Sequence, residues 1–79
     1  MIEILLFAEL EEIVGERKLT DPQLVGKTIN EVREKLKQDY PNIKQIDRAM
    51  VAVNEEYAED DQQLNEGDVV AFIPPVSGG

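Results

Sequence analysis

Thr28-Ile29-Asn30-Glu31-Val32-Arg33-Glu34-Lys35-Leu36-Lys37-Gln38-Asp39-Tyr40-Pro41 is the stretch on which the fold turns. Thr28 and Glu31 have the spacing of a capping box, in which the hydroxyl accepts from the Glu31 amide while the carboxylate reaches back to the Thr28 amide. A helix therefore starts at this point. Ile29, Val32 and Leu36 give it an apolar stripe, Lys35 and Lys37 suit the negative end of its dipole, and Pro41 stops it. A helix with a single apolar stripe needs a surface to lie on, and the flanking sequence supplies strands.

On the N-terminal side, residues 2–7 (Ile-Glu-Ile-Leu-Leu-Phe) are apolar at both parities, as expected of a central strand buried on both faces or nearly so. Leu10, Ile13 and Val14 then recur at helical spacing before Gly15, which predicts one or two helical turns over 8–14. A second strand belongs somewhere within 16–24, interrupted by Pro22. Beyond the long helix, residues 50–53 read as a strand, Asn54-Glu55 as a turn and 56–58 as a return strand, forming a hairpin. An acidic, polar stretch fills 59–63. Leu64-Asn65-Glu66-Gly67 is a tight turn in which Gly67 takes positive φ, and 68–73 is a last apolar strand. The order predicts an α+β domain over 1–73, a mixed sheet with one long helix packed across one face, and a separate tail over 74–79.

Composition restricts the chemistry. The 79 residues allow one small core and leave little space for a cavity that encloses a substrate. Seventeen acidic against eight basic residues give a net charge of −9, which repels nucleic acid and anionic membrane and favours a basic protein surface. The chain has no cysteine and no histidine, so thiolate, imidazole and the usual zinc, copper and haem ligation are excluded. The acidic run Glu55, Glu56, Glu59, Asp60 and Asp61 matches no calcium-loop spacing and reads as a solvated face. Lys18, Lys27 and Ser77 have no activating neighbour in the sequence and are assigned no catalysis. The apolar start is too short to span a membrane and lacks a basic signal region, so a cytoplasmic location is expected.

Two features remain as candidates for function. Pro74-Pro75-Val76-Ser77-Gly78-Gly79 follows the last strand directly, and prolines there favour an extended course away from the sheet. Six residues at that rise reach roughly 18 Å, enough to enter a partner's active site. Gly78 and Gly79 have no Cβ, so a terminal carboxylate could pass a narrow channel and be attacked once activated as an acyl-adenylate. The second feature is the sheet's uncovered face. Ile2, Ile4 and Leu6 share one side of the first strand and Leu5 and Phe7 the other, while Val70 and Phe72 oppose Val69, Ala71 and Ile73 on the last. One helix covers one side only. Which side it covers is not set by the sequence, and the other, with Phe7, Ile73 and Tyr57, is either an apolar patch or lies under the short helix and loops.

The stretch from Phe7-Ala8-Glu9-Leu10 to Gly15, the segment Leu64-Asn65-Glu66-Gly67-Asp68-Val69-Val70-Ala71-Phe72 and the ending Pro74-Pro75-Val76-Ser77-Gly78-Gly79 together resemble the MoaD family, the small sulfur-carrier subunits of molybdopterin synthase. The resemblance implies a ubiquitin-like β-grasp fold with no catalytic residue, no metal and no permanently bound cofactor. It implies that Gly79 is adenylated with ATP by a MoeB-type enzyme and converted to a thiocarboxylate with sulfur from a donor such as a cysteine desulfurase or rhodanese. The tail Pro74, Pro75, Val76, Ser77 and Gly78 would then carry it into a MoaE-type large subunit, in a heterotetramer, to build the dithiolene of molybdopterin from cyclic pyranopterin monophosphate. Phe7, Tyr57 and Ile73 fall where the family places its partner contacts, and Glu11 stands where relatives commonly carry a basic residue. Two alternatives share the tail chemistry: a ThiS-like carrier for thiazole synthesis, and a ubiquitin-like modifier that forms isopeptide bonds.

Overall fold

The computed structural model describes residues 1–75, and its first strand, β1 (Ile2–Leu6), lies at the middle of the fold. It pairs antiparallel with β2 (Lys18–Asp21) on one side and parallel with β5 (Val69–Ile73) on the other. The hairpin of β3 (Met50–Val53) and β4 (Glu56–Tyr57) completes a five-stranded sheet in the order β2-β1-β5-β3-β4. The helix predicted from the capping box is α2 (Ile29–Asp39), and it covers one side of this sheet. The arrangement is the mixed-sheet β-grasp that the resemblance implies.

Both halves of the capping box are formed. The Glu31 amide donates to the Thr28 hydroxyl at 3.2 Å, and the Thr28 amide donates to the Glu31 carboxylate at 3.0 Å. That backbone hydrogen bond, first among its causes, holds the Glu31 carboxyl below its ordinary pKa. At the other end the Tyr40 amide donates to Leu36 and Pro41 ends the helix. Lys37 bridges Asp47 at 3.0 Å, and Lys35, one turn earlier than the helix end requires, bridges Asp21 and Asp39.

Parity is resolved by burial. Ile2, Ile4, Leu6, Val70 and Phe72 meet Ile29, Val32 and Leu36 in the core, all nearly inaccessible. The stripe has a fourth member, Arg33, only 6% exposed. Its guanidinium sits over the Phe72 ring at 5.4 Å, donates to Asp60 at 3.1 Å and donates to the Ile46 carbonyl. A buried arginine is tolerated because its donors are satisfied and its charge is paired.

Several boundaries and environments differ from expectation. The first strand ends at Leu6, and it is buried on one side only: Leu5 is half-buried and Phe7 is 39% exposed. The short helix α1 is Glu9–Val14, because Ala8 has φ 51° and ψ −122° and forms a turn closed by the Leu10 amide on the Phe7 carbonyl. β4 stops at Tyr57 and β5 starts at Val69. The acidic stretch 59–63 is not wholly a solvated face. Its carbonyls at Asp60 and Gln62 accept from the Asn30 and Ile29 amides, so it closes the first turn of α2, and the Asp60 carboxylate pairs with Arg33. Gly15, Gly26 and Gly67 take positive φ, as the turns at their positions require.

Two non-glycine residues carry backbone strain that glycine would relieve. Ala8 occupies the first central position of a turn with type II′ angles, and Glu55, with Asn54 at φ 52°, adopts φ 72° in the β3–β4 turn. Ala8→Gly and Glu55→Gly are each expected to raise stability by up to about 1 kcal/mol, read as a higher midpoint in thermal unfolding. The Glu31 carboxyl makes stability depend on pH. Its folded pKa is depressed, so its contribution is present above the ordinary glutamate range and is lost as pH falls through the lowered value. The stability gap between the native chain and Glu31→Gln should therefore be full at neutral pH and close as pH falls through and below the ordinary glutamate range in denaturant titrations.

Candidate functional site

The side of the sheet turned away from α2 has no covering element among the described residues. Strand register aligns its side chains in rows. Lys18, Leu5, Ala71, Ala52 and Tyr57 lie opposite one another across all five strands. In the next row Ile73 pairs with Met50, and Phe7 follows the end of β1 on the same side. Two alanines at the centre keep the floor low, while Leu5, Phe7, Ile73 and Tyr57 form higher walls. The result is an open depression of about 660 Å³.

Three of the most exposed large apolar side chains, Phe7, Met50 and Tyr57, stand on this face, Tyr57 at 74% exposure. Apolar surface gathered in this way marks a binding surface more than a random scatter does. The turn at Ala8 holds the Phe7 ring here by sending the chain into α1 directly after β1, so that Leu10 is buried on the other side of the turn. The floor sets no chemistry of its own: it carries no nucleophile or buried ionisable group. Glu55 lines its edge, and Glu3, on the same face of β1 as Leu5, stands 3.4 Å from the one cation of this row, Lys18. Among the described residues no cluster of three or more acidic groups is arranged to hold a metal ion. No helix among them is long and apolar enough to cross a membrane.

Of the residues singled out in the sequence, Phe7, Tyr57 and Ile73 are brought together on this face. β5 leads out of its rim into Pro74, half-buried, and Pro75, exposed. Val76, Ser77, Gly78 and Gly79 lie outside the described residues. Lys27 is 4.0 Å from Glu31 on the opposite side of the molecule, remote from the depression. Nothing local in the sequence marks Ala52 and Met50 as part of this surface. Their alignment with Ala71 and Ile73 is a matter of register, and the only available signal was the alternation within 50–53. Asn54 is a turn residue that also fixes the hairpin to β5, its side chain accepting from the Val69 amide at 3.0 Å and donating to Asp68 at 2.9 Å.

The ThiS family model matches residues 4–79. A molybdopterin synthase sulfur carrier subunit of Dictyostelium discoideum is 41% identical, over 98% of this chain and 94% of its own length. The Arabidopsis thaliana protein of the same name is 35% identical, over 99% and 82%. Among solved structures, the small archaeal modifier protein 1 of Haloferax volcanii superposes with a TM-score of 0.81 at 26% identity, covering 95% of this chain and 97% of that one. With its β-grasp sheet, its open apolar face and a family match that runs through the terminal glycine pair, the chain belongs to the ThiS family and, within it, to the MoaD-type molybdopterin synthase sulfur carriers.

Proposed function

We propose that this protein carries sulfur on its terminal residue, as a thiocarboxylate at Gly79, for the assembly of the molybdopterin dithiolene. The observation that carries this reading is the full-length similarity to named sulfur carrier subunits, which extends through Gly78-Gly79. The chemistry of the chain supports it: with no cysteine in the sequence, a side chain cannot hold sulfur as a thiolate, while a terminal carboxylate can once it is activated. Activation requires ATP, bound and used by a MoeB-type partner, which leaves AMP on the carboxylate as a group that sulfur displaces. A cysteine desulfurase or rhodanese supplies that sulfur. The loaded tail then enters a MoaE-type large subunit, where the catalytic residues for reaction with the pterin precursor reside.

The open face is the surface by which each partner grips the carrier while Pro74-Pro75 direct the tail. An apolar centre excludes water from the contact, and Glu55 at its edge together with the net charge of −9 favours a partner whose own rim is basic. Conjugation to protein lysines through the same terminus is the second reading, favoured by the similarity to an archaeal modifier protein.

Three experiments test these assignments. Mass spectrometry of the protein from cells with intact sulfur transfer should show a fraction with sulfur in place of one oxygen at Gly79. Deletion of Gly79 should abolish complementation of a small-subunit deletion strain. Unimpaired complementation without Gly79 sinks the carrier assignment, and a higher-mass, reductant-stable adduct that depends on Gly79 favours the modifier reading. For the surface, Ala71→Arg places a long charged side chain on the floor of the depression without touching the core. It should weaken binding to the activating enzyme by about 2–3 kcal/mol in calorimetry while leaving thermal unfolding nearly unchanged, and unaltered binding would remove the face from the interface.

A further inference from the structure

The opposite side of the molecule has a second depression, of about 190 Å³, where the edge strand β2 runs beside α2. Its apolar floor is made by Leu19, Leu24, Val32 and Leu36, and its rim by Asp21, Lys35 and Asp39. Two properties of this groove specify what it would accept.

The first is backbone. β2 is the outer strand of the sheet, and the Leu6 amide donates to the Arg17 carbonyl at 2.8 Å, which fixes the hydrogen-bond phase of the β1–β2 pair. With Ile4 opposite Leu19 and Ile2 opposite Asp21, those pairs exchange their hydrogen bonds inward. Lys18 and Thr20 therefore turn their N–H and C=O groups outward, and both residues are exposed. Among the described residues no strand pairs with them, and groups at this alternation are complementary to an extended strand. The second is charge. The Lys35 ammonium lies 3.9 Å from Asp21 and 3.4 Å from Asp39, so one cation is shared by two carboxylates and the end of the groove keeps an unbalanced negative charge.

We propose that the β2 edge and this groove bind an extended segment of another protein, which adds as an antiparallel strand. It places an aliphatic side chain beside Leu19 and, two residues earlier in its own sequence, a basic side chain beside Asp21 and Asp39. Small polar residues face Lys18 and Thr20. The groove shares no lining residue with the open face, so its occupant binds while a partner holds the other side. It depends on none of the sulfur chemistry proposed above.

The test is titration of the full-length, nitrogen-15-labelled chain with the capped pentapeptide Lys-Thr-Val-Thr-Ile, followed by amide chemical shifts. Saturable shifts confined to residues 18–21 and 32–40, complete by about 1 mM peptide, with slowed exchange of the Lys18 and Thr20 amides, are expected. Replacing the peptide lysine by glutamate should weaken binding roughly fivefold or more. Thr20→Pro removes an outward donor at an edge position that tolerates proline and should weaken it about tenfold. Should that variant fold poorly, Asp39→Lys, on the exposed end of α2, tests the same site through its charge and should weaken the native peptide to a similar degree. Absence of saturable shifts, shifts centred on Leu5, Ala71 and Tyr57, or binding indifferent to Asp39→Lys would overturn the proposal.

Discussion

One helix cannot cover both sides of a five-stranded sheet, and most of this protein's character follows from that mismatch. α2 takes the side carrying Ile2, Ile4, Leu6, Val70 and Phe72, and the contact is strong because it combines a capped helix start with a close-packed stripe. Loss of a fully buried ring such as that of Phe72 typically costs about 3–5 kcal/mol. Arg33 adds direction to this contact, since its planar group rests on Phe72 while its donors reach the acidic loop and the turn before β3. The side left over retains enough apolar area to bind and too little relief to enclose a small molecule.

In the proposed function, chemistry is correspondingly displaced from the folded body: the domain would supply a grip and an exit direction, and the main-chain terminus the reactive group. A carrier built in this way needs no perturbed side chain at its site, in contrast to enzymes that shift pKa values by burial. The ionisable groups with resolved shifts, Glu31 and Lys37, serve the helix and its flank, lowered by a backbone hydrogen bond and raised by Asp47 respectively.

The features most legible in the sequence are those encoded within a few residues. The capping box at Thr28 and Glu31, the stop at Pro41, the left-handed Gly15 and Gly67, and the Asn54-Glu55 turn were all readable because local hydrogen bonds and steric limits decide them. The choice between the two sides of β1 was not readable, since Leu5 and Phe7 are as apolar as Ile4 and Leu6, and only the packing of α2 separates them. The alignment of Ala52 with Ala71 depends on strand register across more than a dozen residues of intervening chain. Asp60 reads as part of a solvated acidic run, and nothing local marks Arg33, until the fold brings 27 positions of separation down to a hydrogen bond. The chemistry proposed for Gly79 rests on sequence and kinship, and the geometry adds the surface beside which the tail departs.

The placement of β5 between β1 and β3 has one more consequence. The strand that leads into the tail is also the piece that joins the two halves of the sheet. Without it β1–β2 and β3–β4 would be isolated two-stranded ribbons, which are marginal in water at best. A chain cut short before residue 69 is thus an unfolded chain, exposed to proteolysis, instead of a folded but tailless decoy that occupies partners without delivering anything. Completeness of the tail-bearing strand and integrity of the fold are a single condition, so a truncation that reaches β5 removes the carrier from the folded pool along with its tail.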